Sequence, residues 1–464
     1  VNVSHGAQMI VSFSVSNFRS FSTEETFSLA ASNRLTAHPN HTVSIPDSDQ
    51  RVLRAGVLYG ANGAGKSNLF KALHYVKSVA VRTRRKDRST GREAFRLGGT
   101  ADDPSTFDLQ IIVAGMLYRF GFKANDQRIT EEWLVKVSGG RETIIYERTT
   151  DSDGKVIVEA PGLKSVSEKL SALVTIGGPQ NQSFLATVKA TLDSSDFGEE
   201  LNSILDWFED DLKLIDPDSP FAGLGPYLAN SPGRLEFASS FLNSVSTGID
   251  HLEIKENEIR EEDLPNFIPE EIVSGVRSDL RERKSGSVLL RRSDGNEMFI
   301  RKTSEGRCSL MTLLLAHKGR SGTNVEFELC DESDGTKRLL DLIPALFGVH
   351  SSNDVYVIDE IERSLHPNLV WAFLNYFLKS CSECRAQIIV TTHESNLLDQ
   401  RLLRRDEIWF AEKDQTSSTR LYSLTDFKAR NDSKISDHYL QGRFGAVPFL
   451  GDLDRLHEKV KQTV

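Results

Sequence analysis

The densest chemical information in the chain lies in eight residues. Gly60-Ala-Asn-Gly-Ala-Gly-Lys-Ser67 matches in full the pattern of a loop that wraps phosphate. Glycines at 60, 63 and 65, with Asn62 among them, let backbone N–H groups turn toward phosphate oxygens, and a helix starting here adds the partial positive charge of its N-terminus. Lys66 is placed to neutralise the β and γ oxygens, and Ser67 offers a hydroxyl to Mg²⁺. A glycine turn that merely caps a helix would need neither the lysine nor the serine. Such a loop also needs a strand that delivers carboxylates. Asp354-Val-Tyr-Val-Ile-Asp359-Glu360 supplies four apolar residues ending in two acids. Asp359 suits the Mg²⁺ shell, and Glu360, at the strand end, is placed to polarise an attacking water.

Three further segments narrow the class. Glu332-Ser-Asp-Gly-Thr-Lys-Arg338 precedes a stripe of Leu339, Leu342, Ile343, Leu346 and Phe347, so Ser333 and the N–H groups around Gly335 form a second helix start suited to phosphate. Ser364-Leu-His-Pro367 follows the paired acids, and Gln387-Ile-Ile-Val-Thr-Thr-His393 reads as a buried strand ending in histidine. Taken singly, Ser333 is equally a plain helix cap and His393 a loop histidine; their order carries the information.

That order resembles the ABC-type ATPase heads of SMC proteins, the RecF repair ATPase and the OLD family. Such heads open with a motif like Asn17-Phe-Arg-Ser-Phe21 beside the nucleotide, which gives Arg19 a place there, and Gln182, before Ser183-Phe-Leu185, is the candidate Q-loop glutamine. More closely, Glu332-Ser-Asp-Gly-Thr, Asp359-Glu-Ile-Glu-Arg-Ser-Leu-His-Pro367, Arg405-Asp-Glu-Ile-Trp-Phe410 and Tyr439-Leu-Gln-Gly-Arg-Phe-Gly-Ala-Val-Pro448 resemble bacterial AAA15-type (AbiL-like) ATPases of antiphage operons. The resemblance covers roughly 10 to 150 and 305 to 450. It implies an α/β fold, an ABC-type P-loop ATPase head with a mixed sheet, an antiparallel β lobe and a helical insertion. ATP and Mg²⁺ are the implied cofactors. It further implies a head-to-head dimer or higher oligomer, in which Ser333 and Gly335 reach the other copy's γ-phosphate and His393 senses it. The biological role implied is a sensor or scaffold ATPase in antiphage defence, acting on an effector nuclease or toxin encoded nearby. Two alternatives stay open: a RecF-like repair ATPase binding DNA directly, and a nucleotide-gated binding module with negligible turnover.

The departures are informative. The signature is Ser-Asp-Gly where transporters have Ser-Gly-Gly, which disfavours a transporter subunit. Lys66 and Ser333 are 267 positions apart, too few for an SMC coiled coil, and 71 residues follow His393, too few for the nuclease of OLD proteins.

These residues need elements to hold them. Val11, Phe13 and Val15 alternate with serines as a half-buried strand does, and Val52 to Tyr59 is a β-prone run ending at the first loop glycine. Leu69, Phe70, Leu73, Val76 and Ala80 have helical spacing. Residues 105–148 read as an antiparallel sheet, about 165–283 as mainly helical, 288–300 as short strands, and 312–410 as a closing α/β section. The expected division is therefore an N-terminal head half at 1–160, a helical insertion at 161–304 and a C-terminal head half at 305–464.

Composition bounds the rest. The chain has 464 residues, 39% hydrophobic and 26% charged, in the ordinary globular range, and 56 basic against 66 acidic residues give a net charge of −10. A uniformly basic nucleic-acid binder is disfavoured, but Arg82-Thr-Arg-Arg-Lys-Asp-Arg88, with Arg92 and Arg96, leaves a local contact to nucleic acid or an acidic partner open beside the plainer reading of a solvated loop. Four cysteines in this length are no disulfide framework, and Cys381-Ser-Glu-Cys384 without a second pair reads as two thiols rather than a zinc site. No apolar run approaches 18 residues and no signal peptide is recognisable, so no membrane partner and a cytoplasmic location are expected. Val1–Gln8 precede Met9, which reads as an alternative natural start. His38 and His41, around Pro39-Asn40, read as surface histidines.

Overall fold

In the computed structural model the described residues are 6–45, 48–99, 101–163, 167–217, 221, 223–266, 270–282, 286–291, 297–302, 307–320, 322–379, 385–427 and 435–446. The chain divides into two compact units, the first comprising Val1–Asp216, Gly348–Glu362 and Val370–Val464, the second Pro217–Phe347 and Arg363–Leu369.

The first unit holds two large sheets. Five strands with apolar centres lie parallel in the order Leu212–Ile215, Val355–Ile358, Gln387–Thr392, Ala55–Tyr59, Ile408–Lys413, with Thr419–Ser423 added antiparallel at the edge. Continuous burial is what a strand covered on both faces requires, and Ala55–Tyr59, Val355–Ile358 and Gln387–Thr392 are buried at every residue. The second sheet is antiparallel throughout, in the order Val156–Glu159, Arg141–Thr150, Ile129–Ser138, Met116–Ala124, Ser105–Val113, Met9–Ser16, Glu25–Ser28. Here burial alternates, as in Ser105–Val113, because one face meets water. The helix Lys66–Val81 sets Leu69, Phe70, Leu73 and Val76 into one core with Phe13, Phe107 and Phe120 of the antiparallel sheet and Val355, Val357 and Ile389 of the parallel one. Gln387, fully buried, stitches the sheets together: its Nε2 donates to Ile10 O (2.9 Å) and Leu53 O (2.8 Å), and its Oε1 accepts from Ile10 N (2.8 Å).

The helices Glu168–Ile176, Phe184–Thr191 and Ser194–Asp206 belong to this same unit. The buried Glu132 carboxylate accepts Phe184 N (2.8 Å) and Tyr146 OH (2.6 Å), fixing the start of the second of these helices on the antiparallel sheet. The insertion expected at 161–304 therefore does not coincide with the structural division, because Leu170, Phe184, Val188 and Leu201 join the head core.

The second unit is not purely helical. An antiparallel sheet runs Ile249–Ile259, Cys308–Lys318, Glu297–Lys302, Gly286–Arg291, with Asn324–Glu328 also paired to Cys308–Lys318. Leu252 and Leu315 from the sheet, Leu228 and Leu242 from the helices Leu224–Ala229 and Pro232–Ser244, and Leu340 and Ile343 from the helix Asp334–Ser351 form its core. No helix among the described residues is long and apolar enough to cross a membrane.

Candidate functional site

The Gly60–Ser67 loop links the buried strand Ala55–Tyr59 to the helix Lys66–Val81. Gly63 and Gly65 have φ of 78° and 108°, a region that costs a side-chain-bearing residue dearly. The loop is also walled in. A Cβ on Gly60 would come within 2.6 Å of Ala411 O, and one on Gly65 would collide with Thr419 Oγ1. Thr419 Oγ1 donates to Ala64 O (2.8 Å) and bonds Ser20 Oγ (2.8 Å), which in turn accepts from Asn68 Nδ2 (2.8 Å). Asn62 and Gly63 are exposed and Ser67 is half-buried at the first helical turn.

Lys66 is buried, and its Nζ donates to Gly60 O (2.7 Å) and Ala61 O (3.2 Å). Burial pulls its pKa down, while the negative charges of Glu362, Glu360 and Asp359 push back. The lysine and the acids after Val355–Ile358 therefore share one electrostatic site, with the strand Gln387–Thr392 between their two parent strands.

That intervening strand organises the acids. Thr391, 2% exposed, donates from Oγ1 to Asp359 Oδ1, and the same oxygen accepts Glu360 N (2.9 Å). Ile361 N donates to Thr391 O (3.2 Å), and Glu362 Oε1 accepts His393 N (2.8 Å). The turn 359–362 is thus zipped to the strand end 391–393. Glu360 sits at φ 46°, a left-handed conformation that a non-glycine residue keeps only where its surroundings impose it.

The expected N-terminal motif forms a tight turn, with Asn17 and Arg19 at φ 51° and 49°. Its contact to the loop runs through Ser20; Arg19 donates its N–H to Glu93 O (2.7 Å) and pairs its guanidinium with Glu93. Gln182 requires a correction. Its Oε1 accepts Arg84 N (2.8 Å), its Nε2 donates to Thr187 Oγ1 (3.0 Å), and the neighbouring Ser183 Oγ donates to Val79 O (2.6 Å). Val79 lies about 20 Å along the helix from Lys66 at ~1.5 Å per residue, so the structure does not bring Gln182 to the loop. One amide end serves the segment after the helix and the other the helix Phe184–Thr191.

Ser333 and Gly335 lie in the second unit. Ser333 Oγ accepts Thr336 N (3.1 Å), capping the helix that follows, and a Cβ on Gly335 would stand 2.9 Å from Ser364 O. In the basic segment, Arg92 is buried and bonds Asp126 Oδ1 (2.7 Å), Asp103 O and Ala101 O (2.6 Å each), while Arg82, Arg85, Lys86, Arg88 and Arg96 are exposed. His41 overturns the surface reading: it is 2% exposed, with Nδ1 2.9 Å from the fully buried Glu407. Cys381 and Cys384 lie outside the described residues. Sequence reasoning passed over Ser20, Thr391, Thr419 and Glu362, whose roles depend on partners up to 399 positions away.

Ser67 hydroxyl and Asp359 carboxylate are hard oxygen donors of the kind Mg²⁺ takes. Among the described residues no group of three or more His, Cys, Asp or Glu is arranged to hold a metal ion. In donor chemistry the two oxygens suit Mg²⁺, an ion that in nucleotide sites commonly completes its shell with phosphate oxygens and water.

The strand–loop–helix unit and the strand of the same sheet that leads into Asp359 and Glu360 define a P-loop nucleotide-binding fold. The chain belongs to the family described as "AAA domain, putative AbiEii toxin, Type IV TA system", whose profile matches residues 57–399. Among solved structures it is similar to an SMC head bound to the C-winged helix domain of ScpA (14% identity, 89% of this chain and 97% of that one, TM-score 0.37). It is also similar to the SMC head domain of Thermotoga maritima (12%, 89% and 98%, 0.34). A third is the Pyrococcus furiosus Smc head with an extended coiled coil, bound to the C-terminal domain of ScpA (13%, 90% and 96%, 0.35). No curated protein matches the sequence.

Proposed function

We propose that the chain binds and hydrolyses Mg-ATP in a head-to-head dimer and acts as a sensor or scaffold ATPase in antiphage defence, of the AAA15 (AbiL-like) kind, controlling an effector nuclease or toxin in trans. The observation that carries the hydrolytic part is the zipped turn 359–362, which holds Asp359 and Glu360 in defined places against the strand that ends in His393. Gly60, Asn62, Gly63 and Gly65 shape the loop around the phosphates, and Lys66 moves its ammonium from loop carbonyls to phosphate oxygens. Ser67 and Asp359 hold Mg²⁺, which supplies charge neutralisation between the β and γ groups when bound. Glu360 takes the proton of the attacking water, and His393 contacts the γ-phosphate. Ser333 and Gly335 present a helix start to the γ-phosphate of a second copy. Arg19 lies in the turn that braces the loop.

The defence role is supported by the family description, which names a toxin of a toxin–antitoxin system. The exposed Arg82, Arg85, Lys86, Arg88 and Arg96 favour one second reading, direct contact with nucleic acid as in RecF-like enzymes; affinity falling steeply with salt would support it. The deciding experiment pairs ATP binding with turnover. Lys66→Ala should lose binding, whereas Glu360→Gln should bind ATP and lose about 10²-fold in rate. Equal turnover by Glu360→Gln and wild type would remove Glu360 from the chemistry. For the biological part, charge reversal at Arg84 and Arg85 should spare ATP binding and uncouple defence in cells carrying the neighbouring genes; defence unaffected by Lys66→Ala would refute the role.

A further inference from the structure

The ATPase reading leaves one acid of the site without a task. Glu362 lies on the zipped turn two positions beyond Glu360, its side chain 11% exposed. Its Oε1 accepts His393 N (2.8 Å) and also stands 3.2 Å from His393 Nε2. Its Oε2 is buried and meets no donor among the described residues. A buried carboxylate oxygen left without a partner is destabilising, so packing alone does not account for an acid here. Glu362 is also foremost among the acids that oppose the loss of charge on Lys66.

His393 explains what the acid achieves. The imidazole is 46% exposed, so packing does not fix its direction. The carboxylate does, because one oxygen takes the histidine backbone and faces its ring at the same time, and such charge-assisted contacts are the stronger kind. We propose that Glu362 is a positioning residue for hydrolysis, locking the switch histidine to the turn that carries Glu360 so that general base and γ-phosphate sensor move as one body. The assignment rests on the ATPase reading above.

Two substitutions separate the contacts. Glu362→Gln keeps an acceptor for His393 N–H and removes the charge facing the ring, with almost no change of shape; Glu362→Ala removes both. In the full chain without nucleotide, the ¹⁵N signals of the His393 ring, assigned by their loss in His393→Ala, should move in Glu362→Gln. With Mg-ATP, Glu362→Ala should lower kcat about 10-fold or more while KM and fluorescent-ATP affinity stay within about 3-fold. In a His393→Ala background the same substitution should cost less than about 3-fold, since the two residues act through one contact. An unmoved ring signal, or losses that multiply independently, would overturn the assignment while wild-type turnover stood. A wild-type chain that binds ATP and never hydrolyses it would instead sink the ATPase reading and this assignment with it, a failure recognised by ring signals that still move.

Discussion

Thr391→Val tests the zipped turn at its tightest point. The substitution keeps the branched shape and deletes one hydroxyl that serves two groups: it donates to Asp359 Oδ1 and accepts from Glu360 N at 2.9 Å. Thr391 is 2% exposed, so water replaces neither contact freely. The two lost contacts, one of them to a charged carboxylate, contribute about 1–3 kcal/mol each, which sets the expected destabilisation at roughly 3 kcal/mol. In a unit of this size that lowers the melting temperature by about 5 °C or more. The effect on chemistry should be larger than the effect on binding. Glu360 at φ 46° stores about 1–3 kcal/mol of backbone strain that its surroundings must hold, and without the Thr391 acceptor it relaxes. Turnover should fall about 10-fold or more, whereas ATP affinity, set by Lys66 and the glycine loop, should stay within about 3-fold. Differential scanning fluorimetry and a phosphate-release assay on the same preparation read both quantities, and Thr391→Ser should restore them. If Thr391→Val melts with the wild type and hydrolyses ATP at the same rate, or if Ser behaves like Val, the hydroxyl does not organise the acids and the argument fails.

Other consequences are as direct. Mixing Lys66→Ala chains with Ser333→Arg chains should recover activity that neither has alone, because one of two composite sites becomes intact; silence from mixed chains that demonstrably co-assemble would refute action across copies. Gly65→Ala should abolish nucleotide binding, since a methyl group there meets Thr419 Oγ1 and φ is 108°, and binding at wild-type affinity would contradict the described loop. Asp211 is pushed up to about 6 by burial and by the charge of Asp354. A carboxyl raised in the folded chain gives its full stabilisation below its unfolded value and loses it as pH rises toward 6, so Asp211→Asn should raise the melting temperature at about pH 8 and leave it unchanged near pH 4. His41→Ala should lower stability by about 3 kcal/mol or more by stranding the buried Glu407, to be checked by denaturant unfolding against the milder His41→Gln.

What the sequence disclosed follows from the range of each signal. The glycine loop, the apolar strand ending in Asp359-Glu360 and the alternation between 105 and 148 are local patterns, and the structure displays each as a loop, a buried strand and an antiparallel sheet. A histidine beside Pro39-Asn40 looks like loop surface, and only Glu407, 366 positions away, turns His41 into a buried pair. Ser20 lies in the motif expected beside the nucleotide, yet a serine there does not announce its partner, and nothing near Thr419, 399 positions away, points to the loop they jointly brace. The strand Ile249–Ile259 was submerged in a helical reading because its acids interrupt the apolar alternation and its register shifts between Ile249 and His251. Gln182 had the right type and a plausible place in order, yet its neighbours Arg84 and Thr187 absorb both ends of its amide.

The bracing of Gly65 has a consequence for how the protein comes into being. Ser20 leaves the ribosome 399 positions ahead of Thr419, and the strand carrying the loop has both of its neighbours, Gln387–Thr392 and Ile408–Lys413, far downstream of it. At about 5–20 residues per second, a growing chain spends tens of seconds with its phosphate loop written and its cradle absent. A copy not yet extended through Thr419 therefore lacks the hydroxyl that braces the loop. The braced loop is thus a mark of a chain extended at least through Thr419, and a partner that recognises it meets no copy shorter than that.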